Sequence, residues 1–278
     1  MTSAPPKTSG PSDAGAPPCL SVVMSAWNGM PYVNAAIGSI LSQTFCDFEL
    51  IVIDDGSTDG TGEALAAYQD SRLRLYRRRQ NAGLTKRLNE AIRLARGRYI
   101  ARMDTDDVSS PERFERQVAF LDSHPNVALV GSFCRSVALS GRIEKWVYPT
   151  DDAHIRATLL RRNPFVHSSV VMRRTALDAV GLYNESLRYV QDYDLWGRIA
   201  ANFQVANIPE FLITRIERVD SVTLADDIAW ARFTAHAAAQ LSVIRSLNRP
   251  LAAVWLIEHA LWFAKDTLVR RFSSGQQV

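Results

Sequence analysis

Between residues 20 and 104 the chain alternates short apolar strands with helical segments, and this alternation limits the fold more than any other feature of the sequence. It is typical of βαβ units, which build a parallel sheet covered by helices. Each strand is rich in apolar or β-branched residues and ends in a polar turn. The predicted strands are 20–25, 49–54, 73–76 and 98–104.

Three helices are predicted between and after these strands. The first starts near Pro31, the second follows Leu84 and ends at Gly97, and the third opens at Ser110. Proline suits the first turn of a helix and glycine suits its end, while apolar residues recur every three or four positions and give each helix one face to bury. We therefore expect an α/β fold with a mainly parallel central sheet flanked by helices.

The second half of the chain is less regular. Its predicted strands are 128–131, 167–172 and 211–216, with a polar stretch from 132 to 149 and a short helix near Asp192. Residues 226–272 have helical spacing and propensity. The sequence thus predicts three parts: a disordered leader over 1–18 that holds five of the 12 prolines, an α/β domain over 19–224, and a C-terminal helical extension over 225–278.

Composition excludes several classes of protein. With 47% hydrophobic and 22% charged residues, the chain is neither disordered nor fibrous. A net charge of +3 with scattered basic residues does not indicate nucleic-acid binding. No apolar run reaches the ~18 residues of a membrane span, and the N-terminus lacks the apolar region of a signal peptide. Three widely spaced cysteines without a C-x-x-C pattern fit the reducing cytoplasm.

Polar residues follow the predicted strands where a parallel sheet binds its ligands. Trp27 and Asn28 follow the first strand, DDGSTDGT follows the second at 54–61, and DTDD follows the fourth at 104–107. Carboxylates that converge in this way repel one another unless a cation or hydrogen-bond donors neutralise them. Mg²⁺ or Mn²⁺, which also binds water and phosphate oxygens, fits this role. Each block alone also fits a capped turn.

Two glycine-rich phosphate loops are missing from the sequence, the G-x-G-x-x-G and the G-x-x-x-x-G-K-[ST] patterns. A bound diphosphate is therefore expected to contact a metal ion and side chains rather than a cradle of glycine amides.

The chain resembles the family-2 glycosyltransferases, which have the nucleotide-sugar-binding GT-A fold. The resemblance covers about residues 19–223. It lies in the blocks SVVMSAWNG, LSQTFCDFELIVIDDGSTDGT, NAGLTKRLNEAI, GRYIARMDTDDVSSPERFERQ, NPFVHSSVVMRR and GLYNESLRYVQDYDLWGRIA.

The resemblance implies a nucleoside-diphosphate sugar as donor, with a UDP-sugar favoured. Ser25, Trp27 and Asn28 would line the donor pocket, and Asp55 would accept the N3 proton of a uracil-like base. Trp27 stands where the family usually has Tyr or Phe. The alternative for Trp27 is a core aromatic side chain.

The same resemblance assigns the D-x-D pair to Asp104 and Asp106. Asp104 would lie near the ribose or sugar and the metal, Asp106 would bind the Mn²⁺ or Mg²⁺ on the diphosphate, and Asp107 would support them. Such an ion stabilises the negative charge of the leaving diphosphate. Lys86 is expected to add a cationic contact to the donor, with Arg87 as the alternative and a solvated helix face as the plain explanation.

The catalytic base of an inverting reaction would be Asp192, by its place in QDYDLWGR. A positioned carboxylate suits general-base removal of the acceptor hydroxyl proton. Asp194 is the competitor, unless it pairs with Arg198 four residues on. His167 would lie on the acceptor side, although a lone histidine beside a strand more often makes a structural hydrogen bond. Gln191, also on the acceptor side, replaces the Glu that the family has.

A second departure from the family is Arg218, where many relatives have a histidine that reaches the metal. A guanidinium stays protonated and cannot be a ligand, so we expect a weaker affinity for the metal, with binding of the diphosphate by Arg218 itself as the alternative. The Q-x-x-R-W pattern of processive synthases is missing, which favours transfer of one sugar per acceptor. Surface-polysaccharide or lipopolysaccharide assembly in bacteria is an expectation from the resemblance alone.

The acceptor is expected to be a glycan or a lipid-linked sugar. Residues 251–272 either form an interfacial element on the inner face of the membrane or pack against the domain or a second copy in a homodimer. Other classes remain open: a non-catalytic nucleotide-sugar-binding protein, a sugar nucleotidyltransferase, whose glycine-rich loop is missing, and a glycoside hydrolase, which would leave the acidic cluster unexplained.

Overall fold

The computed structural model of the chain describes residues 16–217 and 229–248. Within these residues one sheet of nine strands is flanked by helices on both faces. The strands are β1 Leu20–Ala26, β2 Phe48–Asp54, β3 Leu73–Arg77, β4 Tyr99–Arg102, β5 Asp107–Ser109, β6 Val127–Val137, β7 Ile143–Trp146, β8 Val171–Arg173 and β9 Gln204–Ile216. The helices are α1 Val33–Leu41, α2 Thr61–Ala66, α3 Leu84–Leu94, α4 Arg113–Ser123, α5 Asp152–Leu159, α6 Arg174–Val180, α7 Gln191–Asn202 and α8 Ala229–Ser246.

The sheet has the strand order β3-β2-β1-β4-β8-β6-β9-β5, with β7 paired to the far part of β6. The first four strands are parallel, as the alternating pattern predicts. The strands of the second half of the sheet run in both directions. β8 runs antiparallel to β4 and β6, β9 runs parallel to β6, and β5 runs antiparallel to β9. The sheet is therefore mixed, and its parallel half carries the polar loops at one edge.

Helices cover the sheet on both faces because alternate residues of the parallel strands point to opposite sides. Val22 and Leu50 join a buried cluster with α1 and α4, while Val23 and Ile51 join a second cluster with α3, α6 and α7. β2 is buried along its whole length. This double covering explains why the strands read as near-continuous apolar runs.

Helix α8 packs against α7 on the second face. A Cβ on Gly197 would collide with Val243, so the two helices approach closely, and the ring of Tyr193 stacks on His236 with centroids 5.2 Å apart. The side chain of Gln240 donates to the carbonyl of Leu160 at 2.8 Å. The rest of the predicted C-terminal extension, including 251–272, lies outside the described residues.

The structure corrects several boundaries. β4 ends at Arg102, so Asp104 lies beyond the strand rather than in it. The predicted strand 167–172 is a 3₁₀ turn at His167–Ser169 followed by the short β8. The predicted polar stretch after 131 contains the rest of β6 and the whole of β7. The sequence does not reveal these strands because β7 is largely exposed and several later residues of β6 are exposed or half-buried, so they do not form an apolar run. No helix among the residues the structure describes is long and apolar enough to cross a membrane.

Candidate active site

The loops that follow β1 and β2 are joined by hydrogen bonds at the polar edge of the sheet. The backbone N–H of Asn28 donates to Ser57 Oγ at 3.0 Å, and Asn28 Oδ1 accepts from the N–H of Thr58 at 2.9 Å. The N–H of Gly29 donates to Thr61 Oγ1 at 2.8 Å. Asn28 has a φ of 48°, a backbone conformation that asparagine tolerates better than most residues. These bonds fix the two loops as one rim.

Trp27 stands on this rim with 53% of its surface exposed, so it is not a core aromatic. Ser25, two residues earlier at the end of β1, is half-buried. The loop after β4 completes the rim at Gly29, where a Cβ would lie 3.3 Å from the Cβ of Thr105. The structure therefore brings the three predicted loops together, with an exposed indole ring beside them.

Asp55 is 1% exposed and clamps the segment before α3. Its carboxylate accepts from the N–H of Ala82 at 2.9 Å, from the N–H of Gly83 at 2.8 Å, and from Nε of Arg87. Both oxygens are used in this clamp, which fixes the floor of the predicted nucleoside pocket. Its contact with a nucleobase stays a prediction.

Arg87, and not Lys86, is the cation next to Asp55. Its side chain is largely buried and also reaches Glu90 Oε2 at 2.8 Å and the carbonyl of Gln80 at 3.0 Å. Lys86, at the preceding position of α3, is exposed. The sequence favoured Lys86 for the donor contact; that contact stays a prediction, while the structure shows Arg87 neutralising Asp55.

Arg102, the last residue of β4, makes a two-pronged ion pair with Asp104. Its two terminal amino groups donate to the two carboxylate oxygens of Asp104. The side chain of Arg102 is 2% exposed and that of Asp104 is 32% exposed. Nε of Arg102 has no partner among the described residues. The first aspartate of the D-x-D pair is therefore held by a buried guanidinium.

The sequence reasoning missed Arg102, although a signal was present. A charged residue stands in the otherwise apolar run Tyr99–Arg102, at the position where the strand meets the acidic loop. Charged residues are almost never fully buried unless they are paired, so an arginine at the end of a buried strand predicts a nearby carboxylate.

Asp107 opens β5 and is buried, with its Oδ2 accepting from Ser168 Oγ. Burial and the negative charges of Asp104 and Asp106 raise the pKa of Asp107 to about 7, against the opposing effects of Ser168 and Arg102. Asp106, directly before Asp107 in the chain, is half-buried.

This donor set fits a hard divalent ion that takes most of its ligands from a substrate. Among the residues the structure describes, no three His, Cys, Asp or Glu side chains are placed to hold a metal together. Mg²⁺ and Mn²⁺ sites on nucleotides commonly use one or two carboxylates, with waters and phosphate oxygens as the other ligands. Asp106, which the resemblance assigns to the metal, is half-buried, and both oxygens of Asp104 accept from Arg102.

Asp192 lies in the first turn of α7, as the resemblance implies for the base. Its Oδ2 accepts from Asn163 Nδ2 at 2.7 Å, and the side chain is partly exposed. Burial raises the pKa of Asp192, although the N–H of Tyr193, the charge of Arg102 and the amide of Asn163 act in the opposite direction. The helix starts after Val190, which has a φ of 55°, a strained conformation for a β-branched residue.

The two polar neighbours of Asp192 on α7 differ in whether their side chains are already paired. Asp194 is buried and pairs with Arg198 at 2.9 Å, which is the structural alternative stated for it. Gln191 is buried, and its Oε1 has no hydrogen-bond partner within the described part of the chain. Its contact with an acceptor stays a prediction.

His167 lies in an aromatic cluster behind the acidic loop. Its Nε2 is 2.9 Å from the hydroxyl of Tyr183, and its ring meets those of Tyr183 and Trp196 edge to face. Burial and the positive charge of Arg102 lower the pKa of His167 well below its ordinary value. The histidine is therefore a neutral hydrogen-bonding residue here, and a contact with the acceptor stays a prediction.

The buried guanidinium of Arg102 lies near both the acidic loop and the start of α7. The charge of Arg102 acts on the pKa values of Asp107, His167 and Asp192 alike. Arg218 lies outside the described residues, so its place relative to this site stays a prediction.

The polar loops at the ends of the parallel strands, with the acidic loop among them, lie where open α/β sheets bind their ligands. The chain belongs to glycosyl transferase family 2, whose family model matches residues 21–181. It is thus a member of an enzyme family that transfers sugars.

Two relatives illustrate the similarity in sequence. An uncharacterized glycosyltransferase of Haemophilus influenzae is 30% identical over 208 residues, which are 70% of this chain and 64% of that protein. The amylovoran biosynthesis glycosyltransferase AmsE of Erwinia amylovora is 34% identical over 201 residues, which are 70% of this chain and 74% of that protein. The match thus spans slightly less than two thirds of the first of these relatives.

Two solved structures share the fold. TarS of S. aureus, residues 1–349 in complex with UDP-GlcNAc, aligns with a TM-score of 0.72 at 18% identity, covering 88% of this chain and 73% of that chain. The mannosyltransferase PcManGT of Pyrobaculum calidifontis, in complex with GDP-Man and Mn²⁺, aligns with a TM-score of 0.61 at 17% identity, covering 93% and 80%. The GT-A fold is therefore confirmed.

Proposed function

We propose that the chain is an inverting, metal-dependent transferase that moves one sugar from a nucleoside-diphosphate sugar to a hydroxyl of a glycan or lipid-linked acceptor. The observation that carries this proposal is the partly exposed carboxylate of Asp192, within the field of the same buried Arg102 that holds Asp104. A base and an acidic diphosphate loop on one site are what single-displacement sugar transfer requires.

In this mechanism Asp192 accepts the proton of the acceptor hydroxyl. The hydroxyl oxygen forms a bond to the anomeric carbon of the sugar, and the bond from that carbon to the diphosphate breaks on the opposite side. The bonding electrons leave with the diphosphate. A divalent ion held by Asp106 supplies Lewis-acid stabilisation of that leaving charge when bound.

The donor pocket is proposed to be formed by the residues of the rim. The exposed Trp27 offers a ring face to the nucleobase, Ser25 and Asn28 line the adjacent strand end, and Asp55 with its clamped loop forms the floor. A UDP-sugar is favoured by the resemblance, and the complex of TarS with UDP-GlcNAc supports it, while the complex of PcManGT with GDP-Man keeps a GDP-sugar as the rival.

Bacterial surface-polysaccharide synthesis is the proposed setting, supported by the name of AmsE as an amylovoran biosynthesis enzyme. The three cysteines, all within the described residues and unpaired, fit our proposal that the reaction takes place in the cytoplasm.

The proposed function is tested by a donor screen. Purified protein is incubated with UDP-, GDP- and dTDP-sugars and Mn²⁺ or Mg²⁺, and the release of nucleoside diphosphate is followed beside an Asp192→Asn control. The proposal is supported if nucleoside diphosphate is released from one of these donors, if this release requires the metal, and if it is lost in the Asp192→Asn control. If a donor binds but no nucleoside diphosphate is released with any added sugar or lipid-linked acceptor, the chain is a non-catalytic nucleotide-sugar-binding protein. If no donor binds, the proposal is contradicted entirely.

Replacing Trp27 with Ala is expected to weaken donor binding about tenfold, because base–aromatic stacking contributes roughly 1–3 kcal/mol. The free energy of unfolding should change by less than about 0.5 kcal/mol, since the ring is half exposed. Calorimetric titration with uridine diphosphate and with guanosine diphosphate measures the first effect. Leu139→Ala, also at an exposed apolar side chain, is the matched control, and an unchanged affinity in Trp27→Ala rejects the stacking role.

A further inference from the structure

The segment that precedes the 3₁₀ turn carries an amide directed at Asp192. Asn163 Nδ2 donates to Asp192 Oδ2 at 2.7 Å, and Asn163 Oδ1 accepts from the backbone N–H of Phe165 at 3.1 Å. We propose that Asn163 is the positioning residue of the base, holding one oxygen of Asp192 so that the other is directed at the acceptor hydroxyl. This inference rests on the proposed function, in which Asp192 is the base.

The orientation of the amide is fixed by its two partners. A backbone N–H can only donate, so the side-chain oxygen must face Phe165, and the NH₂ group must then face the carboxylate. The reverse orientation would set two donors against each other at Phe165 and two acceptors against each other at Asp192. The contact is therefore a charge-assisted hydrogen bond, the stronger kind.

The anchor of the amide is rigid. Phe165 is buried, and its ring meets that of Trp196 edge to face with centroids 6.1 Å apart. Trp196 lies one turn after Asp192 on α7. The amide and the carboxylate it holds are thus attached to the same packed cluster, which is how a reactive group is kept within a narrow range of orientations.

The other groups that act on Asp192 do not replace this contact. The N–H of Tyr193 binds the carboxylate from its own helix, Arg102 contributes its charge from β4, and the hydroxyl of Tyr183 lies within the field of Asp192 from the segment after α6. Within the described residues, Asn163 is the side chain that donates a hydrogen bond to Asp192, so its removal leaves the carboxylate held by backbone N–H groups alone.

Two variants separate positioning from mere support of the segment. Asn163→Ala removes both contacts. Asn163→Asp keeps the shape and the oxygen that accepts from Phe165, but it removes the donor and places a second carboxyl against Asp192. If Asn163 only supports its segment, Asn163→Asp should behave as wild type. Asn202→Ala is the matched control, since its exposed amide also makes one hydrogen bond, to the carbonyl of Arg198 at 2.9 Å.

The first measurement needs no substrate. Protein labelled with ¹³C at the aspartate carboxyl carbons is titrated by NMR, and the signal of Asp192 is identified by its loss in Asp192→Asn. A donor to the ionised carboxylate favours ionisation, so both Asn163 variants are expected to move the titration of Asp192 to higher pH, Asn163→Asp the further. Asn202→Ala should leave it unchanged. An unmoved titration in both Asn163 variants overturns the contact.

The second measurement uses the donor found by the screen. We expect kcat to fall roughly 10- to 100-fold in both Asn163 variants, with the donor dissociation constant within twofold of wild type. The acidic limb of the kcat profile should move to higher pH with the NMR titration. Wild-type kcat in Asn163→Asp overturns the inference alone. If instead Asp192→Asn releases nucleoside diphosphate at the wild-type rate, the proposed function fails and the inference fails with it.

Discussion

Asp192→Asn is expected to lower sugar transfer by about 10²- to 10⁴-fold while leaving donor affinity unchanged. The substitution keeps the shape of the side chain and removes the one property that the mechanism needs, an oxygen that can accept the acceptor proton. Single-turnover transfer and donor titration measure the two quantities separately. Asp178→Asn, at an exposed aspartate on α6, is the matched control and should have wild-type rates.

The pH dependence of the same reaction follows from the surroundings of Asp192. Burial raises the pKa of this carboxyl, so it becomes protonated at a higher pH than an exposed aspartate, whose pKa is about 3.9. A protonated carboxyl cannot act as the base. We therefore expect kcat to fall as the pH is lowered through the pKa of Asp192, which lies above that of an exposed aspartate. If Asp192→Asn retains more than a tenth of the wild-type rate, another group is the base.

The rim of the active site could be predicted from the sequence because it depends on local order alone. Parallel strands that follow one another along the chain end at the same edge of the sheet, so Asn28, Asp55 and Asp104 had to meet there. The start of α7 is predicted for a different reason, from the resemblance to the family and the place of Asp192 in QDYDLWGR. These positions need no knowledge of the second half of the sheet.

The neutralisation of the acidic residues could be predicted only in part: the arginine at the end of β4 indicates a nearby carboxylate, but not which one. The sequence suggested a divalent ion for the whole cluster, whereas Asp55 pairs with Arg87 and Asp104 with Arg102. Which cation reaches which carboxylate depends on side-chain directions in the folded sheet. A pattern of residue types leaves these directions open.

The part of the site around Asp192 depends on packing between segments that are far apart in the chain. Asn163 reaches Asp192 only because α5, the 3₁₀ turn and α7 meet around the aromatic cluster. The predicted strand at 167–172 fails for a local and a distant reason: Ser169 donates to the carbonyl of Val166, and Ser168 donates to the carboxylate of Asp107. Serine side chains that bond nearby backbone compete with a strand ladder, and apolar runs do not reveal this competition.

Asp104→Ala is expected to lower the free energy of unfolding by about 3 kcal/mol, one of the largest effects of any single change at this site. The reason is the uneven burial of the pair, since Arg102 is 2% exposed and Asp104 is 32% exposed. Loss of Asp104 leaves a charged guanidinium inside the protein without its carboxylate. Loss of the cation in Arg102→Met leaves a carboxylate that water can reach, so this variant should cost less.

Urea unfolding measures these differences, provided the slope against denaturant is unchanged. The double variant Arg102→Met with Asp104→Ala should recover most of the stability lost in Asp104→Ala, because no unpaired charge remains buried. Glu144→Gln is the control: it breaks the exposed ion pair with Arg142 and should cost less than about 1 kcal/mol.

Sugar transfer should not recover in the double variant, and this separates the two functions of the pair. Arg102 and Asp104 together tie the acidic loop to β4, and the proposed function needs that loop for the diphosphate, so apolar replacements should restore the packing and not donor binding. A double variant that regains both stability and transfer would show that the pair only fills space. An Asp104→Ala protein as stable as Glu144→Gln would show that Arg102 finds another partner, and the buried pair would then have no special role in the fold.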